Sequence, residues 1–256
     1  MARYWSAMDL GPHRDVPYYR ADLALVHHLG FGFHADACAP GILRLLEPVR
    51  ARHGLVVEIG CGSGLLTAHL VDAGLGVVAT DASAAMLDLA RVTAPRALEI
   101  RRLTLPDDAI PLADAIVGVG HALNYLEVEG QVTDSLVAMA SSLRPGGIMA
   151  IDLCDLAWGA LREDQPPKIW RTEDWVLVTE FSVPETNRYV REMTTFIRQE
   201  DGRWRRDDER HDNILIDTSK VPALLAHHGV EATVSESFGD EQLPRGLVAL
   251  VGQKVE

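Results

Sequence analysis

Leu55-Val56-Val57-Glu58-Ile59-Gly60-Cys61-Gly62-Ser63-Gly64-Leu65-Leu66 decides how the chain folds. A short apolar run rich in Val is the pattern of a buried parallel strand, and this one ends in three alternate glycines before helical spacing resumes. The segment predicts a strand, a tight turn and a helix start. Glycines let such a turn bend sharply and leave no Cβ between a ligand and the main-chain N–H groups at the helix N-terminus. An adenosine-bearing cofactor is the natural occupant. A dinucleotide turn runs G-x-G-x-x-G, whereas this one is G-x-G-x-G with Glu58 two residues ahead of the first glycine. That spacing argues against a pyrophosphate, and a carboxylate at the mouth of the turn repels phosphate while suiting a cationic ligand.

Downstream, Gly76-Val77-Val78-Ala79-Thr80 reads as a second buried strand closing on Asp81. The interval from Gly60 to Asp81 suits a βαβ half-unit that brings an acid to a ribose, where one carboxylate accepts from both hydroxyls. A third strand is expected near residues 97–101 and a fourth over residues 114–120, ending at His121-Ala122-Leu123-Asn124-Tyr125. Val132, Leu136, Met139, Ala140 and Leu143 recur at helical spacing, and Arg144-Pro145-Gly146-Gly147 reads as a helix stop and turn before a fifth strand at 148–153.

At its glycine turn the chain resembles the class I S-adenosylmethionine-dependent methyltransferases, whose first motif is an acidic residue followed by x-G-x-G-x-G. The run Ala82-Ser83-Ala84-Ala85-Met86-Leu87 after Asp81 and the L-R-P-G-G before the fifth strand strengthen the resemblance, which is specific over residues 55–153 and rests on pattern elsewhere. It implies an α/β fold: a doubly wound seven-stranded sheet, mostly parallel with one reversed strand, plus a small antiparallel β insertion. It also implies S-adenosylmethionine as cofactor, with S-adenosylhomocysteine as product. Glu58 is then expected near the cofactor's amino-acid portion, with the loop residues Gly60, Cys61, Gly62, Ser63 and Gly64 permitting its approach. Asp81 with Ala82 is expected at the ribose, Met86 near the adenosine, and Thr104 and Leu105 at the adenine edge. The family's usual acid is missing there, and Asp107 or Asp108 is the candidate substitute. Gly120 and Tyr19 complete the expected cofactor set.

The first and fourth strands flank the topological switch in this family's order, which places His121 where the reactive methyl belongs. A histidine takes a proton near neutral pH, so His121 is the candidate for acceptor activation, a wall residue being the other reading. Tyr18, His28, Asn124, Tyr125 and His211 are the expected acceptor contacts. For Tyr18, Tyr19, His27 and His28 plain packing stands as the alternative, and for His211 and Asn213 ordinary sheet pairing.

The pattern divides the chain into a helical N-terminal lid over 1–50, a cofactor-binding α/β domain over 51–160 and 217–256, and an antiparallel roof over 161–216. Two lid helices are expected, with Pro40 near the start of the second, and Val16-Pro17 precedes them. From Trp170 to Ile216 charged and apolar residues alternate with period two, as in a sheet with one wet face. Arg203, Arg205 and Arg206 among Asp207, Asp208 and Glu209 read there as a solvated hairpin.

The balance of 24 Lys+Arg against 37 Asp+Glu, a net charge of −13, argues against a nucleic-acid partner. No apolar run is long enough to cross a membrane and Met1-Ala2-Arg3-Tyr4-Trp5 begins no signal peptide, so a soluble cytoplasmic protein with a small-molecule acceptor is expected. Cys38, Cys61 and Cys154 suggest neither a disulfide framework nor a metal site, and a homodimer is left open. Two other readings share these motifs: a NAD-dependent oxidoreductase and a non-catalytic cofactor-binding module.

Overall fold

The computed structural model describes residues 18–255, so the expectations for Met1–Trp5, for Val16-Pro17 and for the first 17 residues of the lid lie outside the described residues. Helices α1 (Ala21–Gly30), α2 (Phe33–Leu45) and the short α3 (Glu47–Ala51) lead into β1 (Leu55–Ile59). Then follow α4 (Leu65–Asp72), β2 (Gly76–Asp81), α5 (Ala84–Thr93), β3 (Glu99–Arg102), β4 (Ala113–Gly118), a 3-10 turn at Ala122–Tyr125, α6 (Glu129–Ser142) and β5 (Leu143–Cys154). After α7 (Leu156–Ala160) come β6 (Lys168–Arg171), β7 (Trp175–Glu185), β8 (Arg188–Arg198) and β9 (Trp204–Ile214). The chain closes with α8 (Val221–Ala226), β10 (Val230–Ser235) and β11 (Leu247–Lys254).

Seven strands form one sheet in the order β10-β11-β5-β4-β1-β2-β3. β11 alone runs against its neighbours, pairing antiparallel with both β10 and β5. Alternate residues of the central strands enter two cores, Val56, Ala115 and Val117 on one face and Val57, Ile59 and Ile116 on the other. Burial on both faces explains why these strands read as unbroken apolar runs. The remaining four strands make a separate antiparallel sheet, β6-β7-β8-β9. Between the two sheets lies a third core in which Leu23 and Val26 of α1 meet Met86 and Leu89 of α5 and Trp175, Leu177 and Met193 of the second sheet.

Several local expectations change. Pro40 sits inside α2, not near its start, because the helix already begins at Phe33 after Gly32. The Arg144-Pro145-Gly146-Gly147 turn is absorbed as an irregularity in β5, whose register against β4 shifts between Ala113 and Ala115. The second sheet gains an edge strand starting at Lys168, and its last strand ends at Ile214, Ile216 bridging instead to Asp155. Arg203 and Arg206 make exposed ion pairs, as a solvated hairpin requires. Arg205 does not: it pairs with the buried Asp22, and Arg20 reaches Asp207 at 2.7 Å, so these charges dock α1 onto β9. Among the described residues no helix is long and apolar enough to cross a membrane.

Candidate cofactor and acceptor site

The loop after β1 is shaped by two close approaches. At Gly60 (φ +67°) an added Cβ would lie 2.4 Å from the Ala122 Cβ, so the loop is pressed against the turn that follows β4. At Gly62 (φ +53°) the nearest atom to such a Cβ is the Met86 Sδ at 4.0 Å, which leaves open space over the backbone. Both positions need glycine, the first for room and the second for its left-handed backbone. Gly64, at the N-cap of α4, packs on Ala90 of α5, and Cys61 is buried below the loop, its N–H on the Thr80 carbonyl at 2.8 Å.

Asp81, at the carboxyl end of β2, accepts from Gly62 N through one oxygen and from Ser83 N through the other, both at 2.8 Å. Burial raises its pKa, with the N–H groups of Ser83 and Gly62 opposing the rise. The acid therefore ties the glycine loop to the start of α5, where Ser83 caps the helix by accepting from Met86 N. Met86 is buried beside this loop and Ala82 is half-buried. Thr104 lies just past β3, its N–H donating to Asp108 at 2.7 Å, with Leu105 next to it. Helix α1 and the residues before it also reach this region: Ser83 Oγ donates to the Tyr19 carbonyl at 2.8 Å, and His28 Nδ1 lies 2.9 Å from Ser63 Oγ. His28 thus meets the glycine loop at Ser63. Open space at Gly62, a partly buried Asp81 and the flanking Met86 fit a nucleoside.

Glu58 is not at the mouth of the turn. Strand alternation turns it to the α4 side, where it is 1 % exposed and accepts from Thr67 Oγ1 at 2.6 Å. Burial pushes its pKa to about 8, Thr67 working against the shift. The folded protein keeps this proton after the unfolded chain has lost it, so the contribution is whole below pH 4.5 and is lost as pH rises towards 8. Urea unfolding is expected to show Glu58→Gln gaining on the wild type by up to about 1.4 kcal/mol per pH unit across that window. A difference independent of pH contradicts the assignment.

On the acceptor side, Asp152 near the end of β5 gathers three donors: Gly120 N at 2.9 Å, His121 N at 2.6 Å and His34 Nε2 at 2.6 Å. Burial alone would raise its pKa, but the hydrogen bond and charge of His34 outweigh that and lower it. For His34 burial works downward, yet the bonds to Asp152 and Cys38 carry it up to about 10. The pair fixes the backbone at His121, which holds a left-handed φ of +50°. A non-glycine residue in that region is strained and persists where surrounding contacts impose it.

His121 stacks on Tyr125 at 5.4 Å between ring centroids. Tyr125 in turn shares a 2.9 Å hydroxyl contact with Tyr19 and accepts from Arg191 of β8. His211 of β9 lies within 5.5 Å, ring to ring, of Tyr18, Tyr19 and Tyr125, and His27 of α1 is 5.1 Å from Tyr19. Four buried atoms in this cluster have no hydrogen-bond partner: His27 Nδ1, His121 Nδ1, Arg191 Nε and His211 Nδ1. Burial first and the Arg191 charge second depress the three imidazoles, to about 4 for His27, 3 for His121 and 2 for His211, so all are neutral at physiological pH. Glu209 Oε2 lies 3.0 Å from His211 Nε2, and Nδ1 of that ring is the nitrogen left without a partner.

Asn124 leaves the acceptor set. Its Nδ2 donates to Cys154 O and Ile214 O and its Oδ1 accepts from Cys154 N, so the amide staples β5 to β9. Tyr18, with its hydroxyl on the Asp212 carbonyl at 3.4 Å, stays beside the cluster. Arg191, Glu209, Asp152 and His34 are absent from the site residues expected from the sequence, whereas His27 stands there as a pocket residue with packing as its alternative. For Arg191 a signal existed: Tyr189, Met193, Thr195 and Ile197 are buried, and Arg191 falls on the same alternation.

Residues 57–149 match a family model described as a methyltransferase domain. Over 116 residues the chain is 31% identical to an uncharacterized methyltransferase of Mycobacterium tuberculosis, a match covering 44% of each protein. It is 36% identical over 125 residues to a malonyl-[acyl-carrier protein] O-methyltransferase of Pectobacterium atrosepticum, covering 47% of this chain and 46% of that one. In both cases the chain spans less than half the relative's length. Among solved structures, the sugar N-methyltransferase KedS8 from Streptoalloteichus superposes with a TM-score of 0.76 at 21% identity, covering 97% of this chain and 99% of that one. CalS10 from Micromonospora echinaspora, an amino pentose methyltransferase with S-adenosylmethionine bound, gives 0.70 at 18% identity, covering 95% and 100%. These likenesses speak for the fold, and the domain match speaks for the segment that carries the glycine loop and Asp81. The chain thus carries a methyltransferase domain over residues 57–149, set in a fold shared with solved methyltransferases.

Proposed function

We propose that the chain transfers a methyl group from S-adenosylmethionine to a nitrogen or oxygen of a small molecule, releasing S-adenosylhomocysteine. The observation that carries this reading is the junction of two halves: Asp81 tied to the Gly62 backbone, and a cluster of buried unpartnered polar atoms beginning at His121. Neither half is needed by a purely structural glycine turn. The seven-strand order with its reversed β11 also argues against the dinucleotide oxidoreductase reading, whose sheet follows the six-strand order 3-2-1-4-5-6. Both N- and O-methyltransferases stand among the similar proteins, which supports nitrogen or oxygen as the acceptor atom.

The bound cofactor supplies a methyl on a sulfonium centre. The chain's own part is alignment and exclusion of water. Gly60 to Gly64 admit the cofactor, Asp81 takes the ribose hydroxyls, Ala82 and Met86 line the nucleoside, and Thr104 and Leu105 border the adenine. Residues up to 50 and the antiparallel sheet within 161–216 act as lid and roof, with Tyr18, Tyr19, Tyr125 and His211 closing the acceptor chamber. His121, neutral and with Nδ1 free, accepts a hydrogen bond from the acceptor's N–H or O–H and turns its lone pair towards the methyl. With a pKa depressed to about 3, His121 gives no inflection near pH 6.5.

Tritiated-methyl transfer to a panel of amines and alcohols, with S-adenosylhomocysteine release as readout, tests the proposal. His121→Ala is expected to lower kcat by about a hundredfold with little change in S-adenosylhomocysteine affinity. Unchanged kcat removes His121 from the reaction, and no transfer to any acceptor leaves the binding-module reading.

A further inference from the structure

Arg191 is a cation on the inward face of the second sheet, and among the described residues it makes no ion pair. Its Nη2 donates to the Tyr125 hydroxyl and, at 3.4 Å, to Asn213 Oδ1, while its Nε is shut off from solvent and donates to nothing. A guanidinium stays charged under all working conditions. Withdrawing such a group from water without a counter-charge is costly, and buried arginines are ordinarily paired with carboxylates. The nearby acids are committed elsewhere: Glu209 to His211 and to Arg20 N, Asp152 to its three donors. The other inward arginine of this region, Arg205, shows the ordinary solution by pairing with Asp22.

We infer that the missing counter-charge arrives with the substrate, and that the methyl acceptor carries a carboxylate which binds the Nε and Nη2 edge of Arg191. The inference rests on the methyltransferase reading above and narrows it to a class of acceptor. Nε and Nη2 form the side of the fork that a carboxylate meets with two parallel N–H···O bonds. Nε has no hydrogen-bond partner and the Tyr125 hydroxyl occupies the other place. A single negative charge fits better than a diphosphate, since Arg191 offers one cationic fork while Asp152 and a net charge of −13 oppose further anions.

The position suits the chemistry. Arg191 lies 5.8 Å from the Tyr125 ring, which stacks on His121 at 5.4 Å, so an acceptor held by its carboxylate at one end presents an amine or hydroxyl to His121 a few bonds away. As the new C–N or C–O bond forms, the methyl–sulfur bond breaks with its electron pair left on sulfur, and the acceptor's proton departs to water. Arg191 is then what distinguishes an amino or hydroxy acid from the corresponding plain amine or alcohol.

The test uses the full chain loaded with S-adenosylhomocysteine, whose binding is first verified by calorimetry. Acetate, propylamine and inorganic phosphate are titrated while the arginine 15Nε–H resonances are followed, that of Arg191 being assigned by its loss in Arg191→Lys. Acetate is expected to move this resonance saturably and propylamine to leave it in place, with acetate bound roughly 10- to 100-fold more weakly by Arg191→Met. The wild-type resonance decides the matter even if Arg191→Met fails to fold. A resonance unmoved by acetate, or moved by phosphate at lower concentration, overturns the carboxylate assignment while leaving the methyltransferase reading intact. Failure to bind S-adenosylhomocysteine at all overturns both.

Discussion

Asp81→Ala is expected to weaken S-adenosylhomocysteine binding by at least a hundredfold, measured by titration calorimetry on a variant whose circular dichroism matches the wild type. Hydrogen bonds from two ribose hydroxyls to an ionised carboxylate are worth about 1.5–3 kcal/mol each, so losing the pair removes roughly 3 kcal/mol or more. The loss goes beyond those two bonds. Asp81 is also the acceptor for Gly62 N and Ser83 N, so its removal frees the glycine loop from the start of α5. Asp81→Asn, which keeps one acceptor oxygen and the side-chain volume, is expected to fall between the two. Undiminished affinity in a folded Asp81→Ala protein contradicts the placement of the nucleoside.

The second large effect belongs to Asp152, and it is an effect on stability. Asp152→Ala leaves Gly120 N and His121 N without their acceptor and strands His34 beside an apolar wall of β5, a loss of about 3–5 kcal/mol in urea unfolding near neutral pH. The pH dependence identifies the partner. His34 holds its proton up to about pH 10 in the folded protein, whereas the unfolded chain releases it near 6.5. Its contribution is therefore whole below pH 6.5 and declines as pH rises towards 10, at up to about 1.4 kcal/mol per unit. Subtracting a His34→Gln titration isolates this decline from every other group. A cost below about 1 kcal/mol for Asp152→Ala, or the same pH slope in both proteins, shows that the pair does not set the geometry at His121.

The segments legible in the sequence are those whose information is local. An apolar run ending in spaced glycines specifies strand, turn and helix within twelve residues, and Asp81 is found by its place at the next strand's end. What escaped depends on where distant elements meet. Glu58 belongs to the glycine motif, but the face of β1 on which it sits is decided by α4 packing there, which turns the carboxyl inward to Thr67. Asn124 sits beside His121 in sequence, yet its amide is spent joining Cys154 and Ile214, 30 and 90 residues away. His34 and Asp152 are separated by 118 residues, and nothing near either announces the pair. Arg191 is a different kind of miss. The period-two pattern already aimed it inward with Tyr189 and Met193, but the abundance of charge in these strands suggested a wet face. The inward polar atoms face the cluster of His211, Tyr125 and Asn213.

The decisive measurement is a calorimetric titration of the purified full chain with S-adenosylhomocysteine and, separately, with NAD. If the glycine loop and Asp81 form a nucleoside site for a sulfonium cofactor, S-adenosylhomocysteine binds at one site per chain and NAD gives no binding heat. Saturable heat from NAD with none from S-adenosylhomocysteine contradicts that site outright.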